Sequence, residues 1–236
     1  MARVFSMKNA TFASYLRGNY GTTNLNQKPF EDSSGIATSS FESKYGPLMG
    51  YEFGFAKVSG RVTTRFGLEI VSPTKLKDIK GKNSAEAQLF SASSELSAYI
   101  PKISMEFAIK QWPRSRIFFG GEYGVATLTL TNIYDFTTAG TTQFGIPNYR
   151  EELKATTSSY GGSLGWEFLM TDTTTMVLEG GYRFLNVQEF KHNVDAVTIP
   201  EGAVTKGTVA LDNNGAPRVL NMNGVYIAAM FKIWIY

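Results

Sequence analysis

Between positions 46 and 70 the chain alternates apolar and polar residues with a period of two. Tyr51, Phe53 and Phe55 are set against Glu52, Gly54 and Ala56, and after Val58-Ser59-Gly60 the alternation resumes with Val62, Thr64, Phe66, Leu68 and Ile70 against Arg61, Thr63, Arg65, Gly67 and Glu69. A period of two predicts strands, and the Ser-Gly break predicts a tight hairpin. The same pattern predicts strands near 7–20, 91–111, 114–131, 158–171, 174–190 and 219–236, eight in all.

The connections between these segments alternate in length. Ser59-Gly60, Gln111-Trp112-Pro113-Arg114 and Thr171-Asp172-Thr173 are short, whereas about 21–45, 72–90, 132–157 and 191–218 are long. An up-and-down antiparallel barrel collects its odd connections at one rim and its even ones at the other. Short turns at one end and long loops at the other are the arrangement of outer-membrane barrels. Seven of the prolines fall in connections or at strand ends, and Pro101 interrupts a predicted strand. Apolar parity also slips there, from Leu96, Ala98 and Ile100 to Ile103, Met105, Phe107 and Ile109, which predicts a bulge at Ile100-Pro101-Lys102.

Alternation alone fits equally a soluble barrel with an apolar cavity and a membrane barrel with an apolar exterior. Strands of 14 or more residues are long for a soluble sheet but suit tilted strands that cross a bilayer. On the polar face charge is interleaved with small residues, as in Gly120, Glu122, Gly124 and Ala126 or Gly161, Ser163, Gly165 and Glu167, which suits a crowded lumen. Trp112 and Trp234 fall at the short-turn end, where an interfacial aromatic belt is expected. The balance favours a membrane barrel. No stretch approaches the roughly 20 apolar residues of a membrane helix, because the longest, Val225 to Phe231, is about a third of that.

With these features the chain resembles the eight-stranded outer-membrane β-barrel proteins of Gram-negative bacteria, the group that includes the OmpA membrane domain, OmpX and OmpW. The closing segment Ala228-Ala229-Met230-Phe231-Lys232-Ile233-Trp234-Ile235-Tyr236 resembles their terminal strand, with Trp234 and Tyr236 as the paired aromatics and Lys232 departing from the usual apolar choice. The resemblance implies one barrel domain over 1–236, short periplasmic turns, long extracellular loops, and a C-terminal strand read by the outer-membrane assembly machinery. It also implies a mature form from which a signal peptide has been removed. The expected fold is therefore all-β: a transmembrane eight-stranded antiparallel up-and-down barrel in the bacterial outer membrane, monomeric, surrounded by lipid and lipopolysaccharide.

Composition narrows the chemistry. The 236 residues include no cysteine and a single histidine, with 23 Lys+Arg against 20 Asp+Glu. Thiolate metal sites and cysteine nucleophiles are excluded, and no metal or other cofactor is expected. Turned inward, Glu52, Glu69, Glu106, Glu122, Glu167 and Glu179 face Arg17, Arg61, Arg65, Arg183 and Lys232. Buried charges need partners, so this near-balanced set predicts a lumen filled by salt bridges. The alternative is a narrow channel for small or hydrophobic solutes.

At the long-loop end, Lys75, Lys77, Lys80 and Lys82 suit the phosphates of lipopolysaccharide. Gly81-Lys82 lacks the glycine spacing of a phosphate loop, and nothing else points to nucleic acid. In the third loop Ile133, Tyr134, Phe136, Phe144, Ile146 and Tyr149 predict either a lid over the mouth or a surface for a protein or cell partner. Asp212-Asn213-Asn214-Gly215 offers too few acidic ligands for calcium and suits a hairpin turn. The resemblance also raises a third possibility, a lipid-modifying enzyme using His192, but no motif surrounds that residue and no enzyme activity is expected.

Overall fold

The computed structural model describes residues 11–23, 47–73, 75–83, 85–146, 148–198, 201–211 and 215–235. Most of the first long loop, Tyr236 and Asp212-Asn213-Asn214 lie outside them. Eight antiparallel strands form a closed ring: β1 (Phe12–Thr23), β2 (Leu48–Ser59), β3 (Val62–Pro73), β4 (Gln88–Gln111), β5 (Ser115–Phe136), β6 (Tyr149–Leu169), β7 (Thr174–Val187) and β8 (Gly224–Ile235). Each pairs with its sequence neighbours, and β8 pairs back onto β1 from Phe12↔Ile235 to Thr23↔Gly224. Closure satisfies every strand edge within the ring, which a structure surrounded by lipid requires. The three expected tight turns are present, the first with Gly60 at φ 61, a left-handed conformation that glycine adopts without a steric penalty.

The outer wall is apolar. Along β8, Val225, Ile227, Phe231, Ile233 and Ile235 all point outward and are exposed, and Leu16, Tyr51, Phe53, Phe55, Phe66, Met105, Phe119, Tyr160, Leu164 and Trp166 continue the band around the ring. From Val225 to Ile235 a tilted strand climbs about 25 Å, the height of the lipid-facing band of a membrane barrel. In water such a surface would be a severe aggregation liability, whereas in hydrocarbon it is matched to its medium.

Above the band the facing of apolar residues inverts. In β3 the outward Phe66 and Ile70 give way to the inward Val71, in β5 Phe119 and Val125 give way to Leu128 and Leu130, and in β7 Tyr182 and Phe184 give way to Leu185 and Val187. The cause is a change of solvent: below the boundary lipid is outside and charge inside, while above it water is outside and the interior must be apolar. Val71, Ala98, Leu128 and Ala155 are register partners across four adjacent strands, so the inversion runs in step around the wall.

This inversion corrects the bulge expected at Pro101. Pairing with β3 is regular through Leu68↔Pro101, and the shift in β4 lies between Ala108 and Lys110 instead. Pro101 sits on the outward side of an unbroken strand, and Lys102 points inward. The apparent slip in parity marks the water boundary.

Three strands run on past the boundary. β4, β5 and β6, of 24, 22 and 21 residues, absorb most of what the sequence suggests is loop. Together with the short strand Leu76–Lys82 and helix α1 (Thr138–Phe144) they form an outer lobe. Phe90 is its centre, packed edge-on against Tyr134 and Phe136 with Phe144 close by, while Tyr134 stacks on Tyr149 at 4.6 Å. The third-loop aromatics therefore neither lid the mouth nor face solvent as a sticky surface. Tyr134 is buried and Phe136, Phe144 and Tyr149 are half-buried, because they supply the core of this lobe.

Between β7 and β8 the described residues 188–198, 201–211 and 215–223 form a strap over the barrel mouth. Its Phe190, Ala210, Leu220 and Met222 are buried against Leu48, Val71, Leu96, Ile100, Leu128, Leu153 and Leu185 from the wall. At the opposite end Ala13, Tyr15, Ala56, Phe118, Val177, Met230 and Trp234 form a second apolar cluster. Phe118 fits because its register partner on the adjacent strand β6 is Gly165, where an added Cβ would collide with the ring. Gly165→Ala is expected to lose about 1–3 kcal/mol by overpacking, read as a lowered urea midpoint of the barrel in micelles.

Candidate functional site

From the outer apolar cluster down into the lower one, where Arg116 and Lys232 lie over the Phe118 ring, runs a charged layer to which all eight strands contribute. Parity brings Arg17, Glu52, Arg65, Glu69, Lys102, Glu106, Arg116, Glu122, Glu167, Glu179, Arg183 and Lys232 to the inner face, and every one of these side chains is buried. The set holds six carboxylates and six cations.

The ion pairs run as one continuous chain. Lys232 contacts Glu106 and Glu167 at 3.3 and 3.1 Å, and Arg116 bridges the same two carboxylates at 2.5 and 2.6 Å. Arg65 links Glu106 to Glu179, each at 3.3 Å, and Arg17 links Glu179 to Glu52 at 2.9 and 2.8 Å. Lys102 then gathers Glu52, Glu69 and Glu122 at 2.9, 3.0 and 2.8 Å, and Arg183 closes on Glu69 at 2.5 Å.

Neutral groups take up remaining carboxylate lone pairs. Tyr15 and Tyr226 donate their hydroxyls to Glu52 and Glu179 at 2.6 and 2.9 Å, Asn19 donates its amide to Glu69 at 2.6 Å, and Thr175 donates to Glu167 at 2.6 Å. Such satisfaction is what makes a layer of buried charge tolerable. Arg17 and Arg183 also lie over the Tyr226 ring, 5.0 and 5.6 Å from its centroid. Among the described residues, only Arg17, Arg65 and Arg183 Nε and Ser104 Oγ are buried polar side-chain atoms without a protein partner.

Ten of the eleven charged residues expected in the lumen are in this layer. Arg61 is not: it occupies the turn after Gly60 and is exposed, because its inward parity is lost where the strand has not yet begun. Two further cations belong to the layer that the sequence reading does not place there. Lys102 is hidden by the supposed bulge, although continuous parity from Glu106 finds it, and Arg116 lies two positions before Phe118 on the same inward face. With both included the layer is neutral.

Trp234 also departs from expectation. Rather than facing lipid, it points into the lower apolar cluster and donates Nε1–H to Thr175 Oγ1 at 3.0 Å, while Phe231, Ile233 and Ile235 form the lipid-facing series of that strand. Trp112 does lie exposed at the short-turn rim, with Lys110 Nζ 5.0 Å from its ring centroid.

At the outer end, Lys75 pairs with Glu95 at 2.6 Å and Lys82 with Glu86 at 2.9 Å, while Lys77 and Lys80 are exposed. His192 is buried in the strap, with Nε2 3.0 Å from Glu201 Oε1. Among the described residues no hydroxyl bonds to its ring, so the contact is a tie across the strap. Arg218 instead ties the strap to the wall, through Glu151 of β6 at 3.0 Å. No group of His, Asp and Glu among the described residues is arranged to hold a metal.

Closed ring, apolar band and filled lumen together define an eight-stranded membrane β-barrel. Among solved structures the chain is similar to Neisserial surface protein A, at 8% identity and TM-score 0.45 over 95% of this chain and 96% of that one. It is also similar to the outer membrane protein OprG of Pseudomonas aeruginosa, at 12% identity and TM-score 0.47 over 96% and 97% of the two chains. A third is Ail, the attachment invasion locus protein of Yersinia pestis, at 10% identity and TM-score 0.42 over 95% and 99%. No protein-family model and no curated protein sequence matches the chain.

Proposed function

We propose that the protein is an integral outer-membrane barrel whose lumen is permanently closed and whose work is done at its outer rim, supporting the envelope and contacting surface partners. The supporting observation is the filled interior: a neutral network of twelve charged side chains, capped at the outer end by one apolar cluster and interleaved at the short-turn end with another. A solute or water file would have to break paired buried charges and then force open both packed clusters. The channel alternative therefore predicts conductance that this interior opposes. In planar bilayers the folded protein is expected to be electrically silent. Reproducible unit conductances, abolished by substitutions in the charged layer, would overturn the closed-lumen reading.

At the rim, Lys77 and Lys80 are the members of the lysine cluster free to meet lipopolysaccharide phosphates, since Lys75 and Lys82 are engaged with Glu95 and Glu86. The C-terminal strand remains the proposed signal for the assembly machinery. Trp234 would be read before the strand is seated, because in the finished barrel its side chain is enclosed.

A further inference from the structure

Inside the barrel Glu52 and Glu69 are direct cross-strand partners, a like-charge pair, and Lys102 bridges them. Outside, on the rim, the opposite case occurs without a bridge. Lys154 of β6 is the register partner of Lys191 in the strap, and both are exposed. Like charges set opposite one another on antiparallel strands repel. Lys206 is a third ammonium in the same place, since the backbone N–H of Gly207 donates to the carbonyl of His192 at 2.7 Å. Among the described residues Lys154 and Lys206 make no ion pair, and Lys191 has only the half-exposed Glu189 at 3.3 Å.

These lysines surround a cavity of about 350 Å³, lined also by Thr156, His192, Asn193 and the carboxylate of Glu189, the partner of Lys191. That volume lies at the small end of ligand sites. The floor is fixed: the ring of His192 is held by Glu201, and the amide of Asn193 donates to Glu152 at 2.6 Å. With Glu189 offsetting one of the three lysines, the hollow keeps an excess of two positive charges, and Lys154 and Lys206, which have no carboxylate partner among the described residues, are stabilised when an anion sits between them.

We propose that this cavity is an oxyanion site that takes a phosphate or sulfate monoester carried on a saccharide. Height decides against a phospholipid headgroup. Lys154 lies six positions beyond Tyr160, the outermost lipid-facing aromatic of β6, which places it about 15 Å above the edge of the hydrocarbon. The headgroup layer is only about 5–8 Å deep. The site thus stands at the level of surface sugars. This deepens the rim-contact reading and depends on it for orientation, but the binding itself does not.

The test uses the full chain folded in zwitterionic micelles at low salt, titrated with glucose 6-phosphate, inorganic phosphate and glucose while binding is followed calorimetrically. Glucose 6-phosphate is expected to saturate one site, inorganic phosphate to bind more weakly, and glucose not at all. Lys154→Gln and Lys206→Gln are each expected to weaken glucose 6-phosphate binding about tenfold. Both should be at least as stable as the parent protein without ligand, because a repulsion has been removed. Lys77→Gln/Lys80→Gln is expected to bind unchanged. No saturable binding of either anion, or binding indifferent to Lys154→Gln and Lys206→Gln, would overturn the site. Equal affinity for the two anions would overturn its saccharide assignment. Conductance plays no role in these readouts, so this site and the closed lumen can fail separately.

Discussion

Replacing Lys102 by methionine is expected to remove about 3–5 kcal/mol of barrel stability, the usual loss when one partner of a buried ion pair is deleted and the others are left uncompensated. The volume is nearly conserved, so the effect isolates charge. Lys102 touches three carboxylates: Glu52 retains Arg17 and Glu69 retains Arg183, but Glu122 has no other ion pair among the described residues. Glu52 and Glu69, opposed across β2 and β3, also lose the cation that screens them from each other. Urea titration in lipid vesicles, with the faster-migrating folded band on unheated gels as the readout, gives the midpoint. Adding Glu122→Gln should recover a substantial fraction of the loss, since it removes the one carboxylate left wholly unpaired. A loss below about 1 kcal/mol, or no recovery in the double variant, would mean that the layer tolerates charge as a hydrated lumen does.

Phe190→Ala is expected to act as strongly but in a different place. Phe190 is buried in the cluster that seals the mouth, donating its N–H to the carbonyl of Arg218 and accepting at its own carbonyl from the N–H of Ala210. Removing a buried aromatic ring costs about 3–5 kcal/mol. The strap is one locally cooperative piece laid on a ring closed by its own hydrogen bonds, so the loss should appear as local opening rather than global unfolding. Hydrogen exchange is expected to accelerate at the amides of His192, Gly207, Ala210, Arg218 and Met222, while the barrel midpoint moves by less than about 1 kcal/mol. Bilayer recordings should stay silent, because the charged layer beneath is untouched. Channels appearing in this variant would identify the strap, not the charges, as the seal.

The eight strands, their short turns and the facing of most lumen charges are legible in the sequence, because period-two alternation is a local property and each strand carries it independently. Failures come where local parity is read without its surroundings. At Pro101 a change in which face is apolar looks like a bulge, yet the backbone runs through without a shift. Treating the inversion as a bulge loses Lys102. In β5, β6 and the third loop, aromatic residues look exposed because their partner, Phe90, lies on another strand of the lobe. Arg61 has the right parity but falls in a turn, where parity no longer directs a side chain.

The sequence by itself determined a closed antiparallel barrel with an apolar wall and a charged interior, since alternation, turn spacing and residue type are written along one strand at a time. Only the tertiary structure decided how the interior is layered, which cation meets which carboxylate, and that Lys154 and Lys191 stand opposite each other on the rim. Those facts depend on the register between strands and on the strap folding back across the mouth. Both bring together residues far apart in the chain, and only the three-dimensional pairing of the strands says which ones meet.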